Sequence, residues 1–182
     1  SVRQDLTDLK VLVTAGPTRE RLDPVRYMSN DSSGKMGYAI AEAARDRGAK
    51  VTLVSGPTAL MPPADVDVVP VETTMDLYNA MLERCASQDV VVQAAAPADY
   101  RFAAPSSHKL KKQNGKALVL ELVENPDVAK AVAEHRQAGQ ILVGFAAETN
   151  DTIANAREKL AKKGLDMIVA NDVTQEGAGF TV

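Results

Sequence analysis

The sequence predicts an α/β fold: a Rossmann-like, doubly wound, mainly parallel sheet with a projecting β-hairpin arm. Three observations carry this. Short Val/Ile/Leu-rich runs alternate along the chain with segments of helical apolar spacing. Several of those runs are continuously apolar, as strands covered on both faces are. One Asn-Gly pair between two strand-like runs breaks the alternation and marks a hairpin.

Taken in order, Val11–Thr14 reads as the first strand and Met36–Arg47 as the first helix, with Gly48 where a C-terminal cap glycine belongs. Val51–Ser55 and Val66–Val71 are the next strands, followed by a helix over Met75–Cys85 and a strand over Val90–Ala94. Leu110–Lys112 and Leu118–Leu122 flank Asn114-Gly115 and form the predicted arm, which carries Lys109, Lys111, Lys112 and Lys116. Lysines along a hairpin also serve simply to keep an exposed edge soluble. A helix over Val128–Arg136, a strand over Ile141–Phe145, a helix over Ile153–Lys163 ended by Gly164, and a strand over Met167–Ala170 complete the pattern. Strand and helix in alternation give parallel pairing through right-handed crossovers.

The chain has 182 residues, 45% hydrophobic and 25% charged, which suits one domain over 1–182 with a real core. No apolar run approaches the roughly 18 residues of a membrane-spanning helix, and the polar stretch Ser1–Leu9 is no signal peptide. The single cysteine, Cys85, excludes an internal disulfide and suits a reducing cytoplasm. With His108 and His135 as the only histidines, a structural zinc site is not expected. A net charge of -3 gives no global field for nucleic acid or membrane, and with 4% aromatics and no Trp base stacking has little support.

In open α/β sheets ligands lie beyond the carboxyl ends of the strands. The first such loop is long, running from Gly16 to Gly34, and loops of that length are usually functional. Ser32, Ser33 and Gly34 place hydroxyls and N–H groups where a helix begins, which fits either an anion site or an ordinary serine N-cap. The loop is neither a GxGxxG fingerprint nor a GxxxxGK[ST] phosphate loop. The second strand ends in Ser55-Gly56-Pro57 without an acidic ribose partner, which argues against a nicotinamide dinucleotide site. After the fourth strand, Ala94–Ala96 let a ligand approach the backbone, and Asp99 is either an acceptor for it or a surface turn residue. Phe145 fits a base-stacking role or the core. Lys159 and Lys163, four apart on one helical face, fit a polyphosphate or a solvated helix end.

The loops taken together carry a resemblance. Gly16-Pro17-Thr18-Arg19-Glu20, Leu22-Asp23-Pro24-Val25-Arg26-Tyr27 and Ser29-Asn30-x-Ser32-Ser33-Gly34-Lys35-Met36-Gly37 closely resemble phosphopantothenoylcysteine synthetase of the bacterial type. The match continues through Ala98-Asp99-Tyr100-Arg101, Lys109-Leu110-Lys111-Lys112, Asn125-Pro126-Asp127 and Gly144-Phe145-Ala146-Ala147-Glu148-Thr149 to Leu165-Asp166 and Ala170-Asn171-Asp172-Val173.

The resemblance implies an acid–amino-acid ligase of coenzyme A biosynthesis. CTP would activate 4′-phosphopantothenate to an acyl-cytidylate with loss of pyrophosphate. L-Cysteine would then take the acyl group and release CMP. It further implies Mg²⁺ or a similar divalent ion with CTP, no flavin in this domain, a homodimer, and a fused flavin-dependent decarboxylase in the full-length protein. By the same resemblance, Asn30 lies at the reacting carboxylate, Arg26 organises that loop, and Lys109 reaches the triphosphate. Ala96 and Asp99 lie by the nucleotide, Asn125, Pro126, Asp127, Val128 and Phe145 surround the cytidine, and Lys159 and Lys163 bind its phosphates. Two departures stand out. Pro97 replaces a common valine and removes a backbone N–H. The family normally continues a few dozen residues past the position of Val182, so that segment is expected to be missing. A dinucleotide-dependent oxidoreductase and a non-catalytic nucleotide-binding module remain the competing readings of the loops.

Overall fold

Strand Lys10–Ala15 (β1) lies at the centre of the sheet, and Val11, Leu12, Val13 and Ala15 are all buried, which is why the run reads as continuously apolar. The computed structural model describes residues 3–148 and 152–172. Around β1, Lys50–Ser55 (β4), Asp67–Pro70 (β5), Val90–Gln93 (β6), Ile141–Glu148 (β9) and Met167–Asp172 (β10) form one sheet of order β10-β9-β6-β1-β4-β5, parallel throughout. The chain leaves β1 through helix Lys35–Asp46 (α1) to β4, continues to the edge strand β5, and crosses back through helix Thr74–Arg84 (α2) to β6 on the other side of β1. The strand order reverses between β1 and β6, so the loops leaving these two strands open a crevice there.

Two apolar clusters fill the space above and below the sheet. Val13, Leu53 and Val92 pack with Tyr38 and Ala41 of α1. Leu12, Val91 and Leu142 face the other way and pack with Leu77 and Met81 of α2 and with Val128 and Val132 of helix Val128–Glu134 (α3). Leu165, just after helix Thr152–Lys162 (α4), joins the second cluster. Helix ends follow local chemistry. Thr73 and Asp76 form a capping box on α2, Asp127 caps α3 by accepting from the Lys130 N–H, and Gly48 and Gly164 follow α1 and α4 with positive φ, as predicted.

Every predicted strand and helix of the parallel layer is present, with ends displaced by at most three residues. The arm differs. Asn114 and Gly115 do turn with φ of 50° and 79°, closed by the Lys116 N–H on the Gln113 carbonyl. Their predicted flanks, Leu110–Lys112 and Leu118–Leu122, do not pair. The ladder lies at the root instead, between Tyr100–Phe102 (β7) and Leu122–Glu124 (β8). Residues 111–122 are all exposed, and a two-stranded ribbon with no face to bury is marginal in water. A second short ribbon, Arg19–Arg21 (β2) with Tyr27–Ser29 (β3), lies beside β7. The motif residues Thr149 and Val173 lie outside the described residues.

Candidate functional site

A cavity of about 910 Å³ opens at the carboxyl ends of β1, β6 and β9. Helix α1 supplies one wall. Its N-cap is Gly34, at φ 81°, with no side-chain cap bond, so the predicted serine cap is not found. The left-handed backbone at the cap is what requires glycine. Ser33 Oγ accepts from the Lys35 N–H at 3.3 Å, and Ser32 and Gly34 line the cavity, whereas Ser33 does not. The first-turn N–H groups of Met36 and Gly37 have no carbonyl within the helix to bond, and both residues line the cavity. At Gly37, α1 comes so close to β1 that a Cβ would lie 2.4 Å from Ala15 Cβ.

The second wall is the loop after β6. Asn30 reaches across from the first loop and its Nδ2 donates to the carbonyls of Pro97 at 3.1 Å and Ala96 at 3.4 Å. The Ala96 N–H donates to Gly16 O, which extends the β1–β6 pairing past the sheet. Beneath Ala98 lies a buried polar network. Thr18 Oγ1 accepts the Ala98 N–H at 2.9 Å, Thr74 Oγ1 donates to Ala98 O at 3.0 Å, and Glu20 accepts the Thr74 N–H at 3.0 Å. Each polar atom removed from water there has a partner, so the loop is fixed in place. Asn125 is part of the same clamp. Its Nδ2 donates to Ala98 O at 2.8 Å and its Oδ1 accepts from Arg101, so the amide shapes the wall. Asp99, Pro126 and Asp127 line the cavity beside it.

The third wall comes from β9 and α4. Phe145 is half-buried against the first cluster while lining the cavity, so the ring both packs on the core and borders the site. Val128 lines the cavity from the second cluster and is core. Lys159 and Lys163 both reach the cavity, as one helical face requires. Lys159 Nζ donates to Phe145 O at 3.4 Å, and Lys163 is ion-paired with Asp127. Partial burial opposes ionisation of Asp127. Lys163 and the Lys130 N–H outweigh it and hold the carboxyl below its ordinary value.

Of Asn30, Arg26 and Lys109, the last two do not line this cavity. Arg26 faces Asp23, whose buried carboxylate accepts the N–H groups of Val25, Arg26 and Leu110. The Arg26 guanidinium beside it holds that carboxyl well below the usual carboxylate range, and Arg26 also donates to Leu110 O. Asp23 and Arg26 together grip both backbone groups of Leu110. They fix the root of the arm one residue from Lys109, which is exposed and does not line the cavity. Arg26 therefore holds the root of the arm. Asp23 was legible in the sequence only as a loop residue, because one of its partners, the Leu110 N–H, lies far along the chain.

Residues 6–182 match the family described as the DNA/pantothenate metabolism flavoprotein C-terminal domain. The chain belongs to that family. Among curated members, the coenzyme A biosynthesis bifunctional protein CoaBC of Vibrio vulnificus is 48% identical over 96% of this chain and 44% of its own length. CoaBC of Bacillus subtilis is 50% identical over 93% of this chain and 42% of its own length. The chain thus spans less than half of these relatives. Among solved structures, the C-terminal domain of a CoaBC matches with a TM-score of 0.81 at 48% identity, over 92% of this chain and 79% of that one. The DNA/pantothenate metabolism flavoprotein of Streptococcus pneumoniae matches with a TM-score of 0.79 at 28% identity, over 91% of this chain and 83% of that one.

In this family member, no group of three or more His, Cys, Asp or Glu among the described residues is placed to hold a metal ion. No helix among the described residues is long and apolar enough to cross a membrane.

Proposed function

We propose that the domain is a CTP-dependent phosphopantothenate–cysteine ligase. The observation that carries this is one cavity lined by residues of Asn30–Gly37, Ala98–Tyr100, Asn125–Asp127 and Gly144–Ala146, in a chain about half identical to CoaBC relatives. A polyanion finds Lys159, Lys163 and the α1 N-terminus on that cavity's walls. Lys163 exchanges its Asp127 partner for phosphate oxygens on binding. In the first step a carboxylate oxygen of 4′-phosphopantothenate attacks the α-phosphorus of CTP. The acyl O–P bond forms, the bond to the β-phosphate oxygen breaks, and pyrophosphate leaves; a divalent ion such as Mg²⁺, when bound to the phosphate oxygens, would neutralise the charge on the leaving group. In the second step the amine of L-cysteine attacks the acyl carbon, the C–N bond forms, the C–O bond to CMP breaks, and the amine loses a proton.

Asn30 serves this chemistry by placing its amide where the two loops meet, its Nδ2 held by the Ala96 and Pro97 carbonyls in the free site and turned to donate to the acyl oxygen when substrate is bound. Lys109 approaches the triphosphate when the arm folds toward the cavity, with its root held by Asp23 and Arg26. The reaction belongs to the cytoplasm, in a homodimer, with a flavin-dependent decarboxylase fused in the full-length protein.

The test is pyrophosphate release from CTP and 4′-phosphopantothenate, with and without cysteine. One equivalent per site without cysteine and sustained turnover with it is the expected pattern. Release that does not depend on phosphopantothenate would replace the ligase reading with CTP hydrolysis, and no release at all would leave a nucleotide-binding module.

A further inference from the structure

Gln93 is the polar end of an otherwise apolar strand, Val90-Val91-Val92-Gln93. Side chains alternate along β6, so Gln93 shares the face of Val91, toward α2 and α3. Its strand neighbours in register are Thr14 on β1 and Gly144 on β9, and all three line the cavity. The Gln93 Nε2 is buried and has no hydrogen-bond partner. The contrast with Gln140 is informative. That amide is buried too, but its Nε2 donates to Cys85 O at 2.6 Å and Gln88 O at 2.9 Å, as a structural glutamine should. A donor left unpaired inside a protein is costly, and nothing in the fold recovers that cost at Gln93.

We propose that Gln93 is a nucleotide-reading residue, its side-chain amide donating to an acceptor on the ring edge of the pyrimidine base. This rests on the nucleotide-dependent function proposed above and adds a residue to it. The terminal torsion of glutamine is a broad rotor, so the NH₂ group turns toward the cavity without any backbone change. The surroundings choose the base over the phosphates. Leu77, Val128 and Leu165 make the floor around Gln93 apolar, whereas the cations reach in from α4. The flat Ala94–Ala96 backbone beside it leaves room for a ring to lie close.

The experiment compares the parent with Gln93→Met, which keeps length and removes the polar atoms. Calorimetric titrations use CTP and, separately, inorganic tripolyphosphate, and a thermal melt is run without ligand. The expected result is about tenfold weaker CTP binding, unchanged tripolyphosphate binding, and a melting temperature equal to or above the parent's, since the orphaned donor is gone. Gln93→Leu, which is uncharged and also loses the NH₂ group, should show the same selective loss and serves if the methionine variant does not fold. CTP affinity within twofold of the parent, or an equal loss for both ligands, overturns the proposal. A parent that binds CTP no more tightly than tripolyphosphate overturns it as well, and does so by removing the nucleotide function beneath it.

Discussion

Replacing Gly37 by alanine sets helix propensity against close packing at the cavity wall. Alanine is the better helix former by about 1 kcal/mol, so α1 on its own would gain. In the fold, the new Cβ would lie 2.4 Å from Ala15 Cβ and 2.9 Å from Thr14 O. Ordinary Cβ contacts begin near 3.4 Å, so α1 must retreat from β1 by the difference, about 1 Å. Its neighbours there are backbone and a methyl group, which have no rotamer to move into. Overpacking costs about 1–3 kcal/mol, and rigid neighbours place this site at the upper end. Subtracting the propensity gain leaves a loss of about 2 kcal/mol, or about 4–8 °C in Tm for a domain of this size. Urea denaturation followed by circular dichroism reads this directly, with a lower midpoint at unchanged slope. The retreat also draws the Met36 and Gly37 N–H groups away from a bound anion. Tripolyphosphate affinity should fall about two- to fivefold. A variant as stable as the parent, or more so, refutes the packing argument.

Asn30→Asp turns a carboxylate toward the carbonyls of Ala96 and Pro97 and toward the acyl carbonyl. It should lower product formation by more than about a hundredfold while CTP still binds, and turnover within a few-fold of the parent would return Asn30 to a turn residue. Lys109→Gln should lose about a hundredfold in single-turnover pyrophosphate release with little change in stability, and normal release would leave Lys109 as a solvated surface lysine. Replacing Lys159 and Lys163 together by alanine should weaken CTP binding and flatten its salt dependence in calorimetry; an unchanged affinity counts against the phosphate role. Asp166 accepts the Leu142 N–H at 2.7 Å and pairs with Arg136, which lowers its pKa below 3.8 in the folded chain. The unfolded chain therefore takes up the proton first. The stabilisation is complete above about pH 5 and is lost as pH falls through the carboxylate range. Asp166→Asn should flatten the stability profile below pH 5, and an unaltered acid limb would contradict the sign.

The parallel layer was legible because its strands are buried on both faces and its helices carry one apolar stripe, signals that need no knowledge of distant residues. The β2–β3 and β7–β8 ribbons were not. Each strand has three residues, too few to show alternation, and what holds β7 to β8 is a partner about twenty residues away. The site divides the same way. Lys159 and Lys163 were found by helical spacing, and Asp99 by following a strand. Asp23 looks like any loop aspartate until Leu110 is brought against it, and Gln93 looks like a strand end until its amide is found without a partner. Arg26, read as organising its own loop, also holds the arm's backbone at Leu110.

The grip on Leu110 divides the arm into two parts with different freedoms. Up to Leu110 the chain is tied down, by the Ser106 N–H on Leu22 O and by Asp23 and Arg26. From there to the Ala103–Glu121 closure it runs free in solvent. Loop-closure entropy grows only logarithmically, so doubling that distal length costs only about 0.6 kcal/mol. Insertions, deletions or a peptide tag around Asn114 are therefore tolerated with Lys109 kept in register. Across relatives this turn is where chain length can drift, and in the laboratory it is the place to attach a fluorophore that reports the arm's movement without altering its anchor.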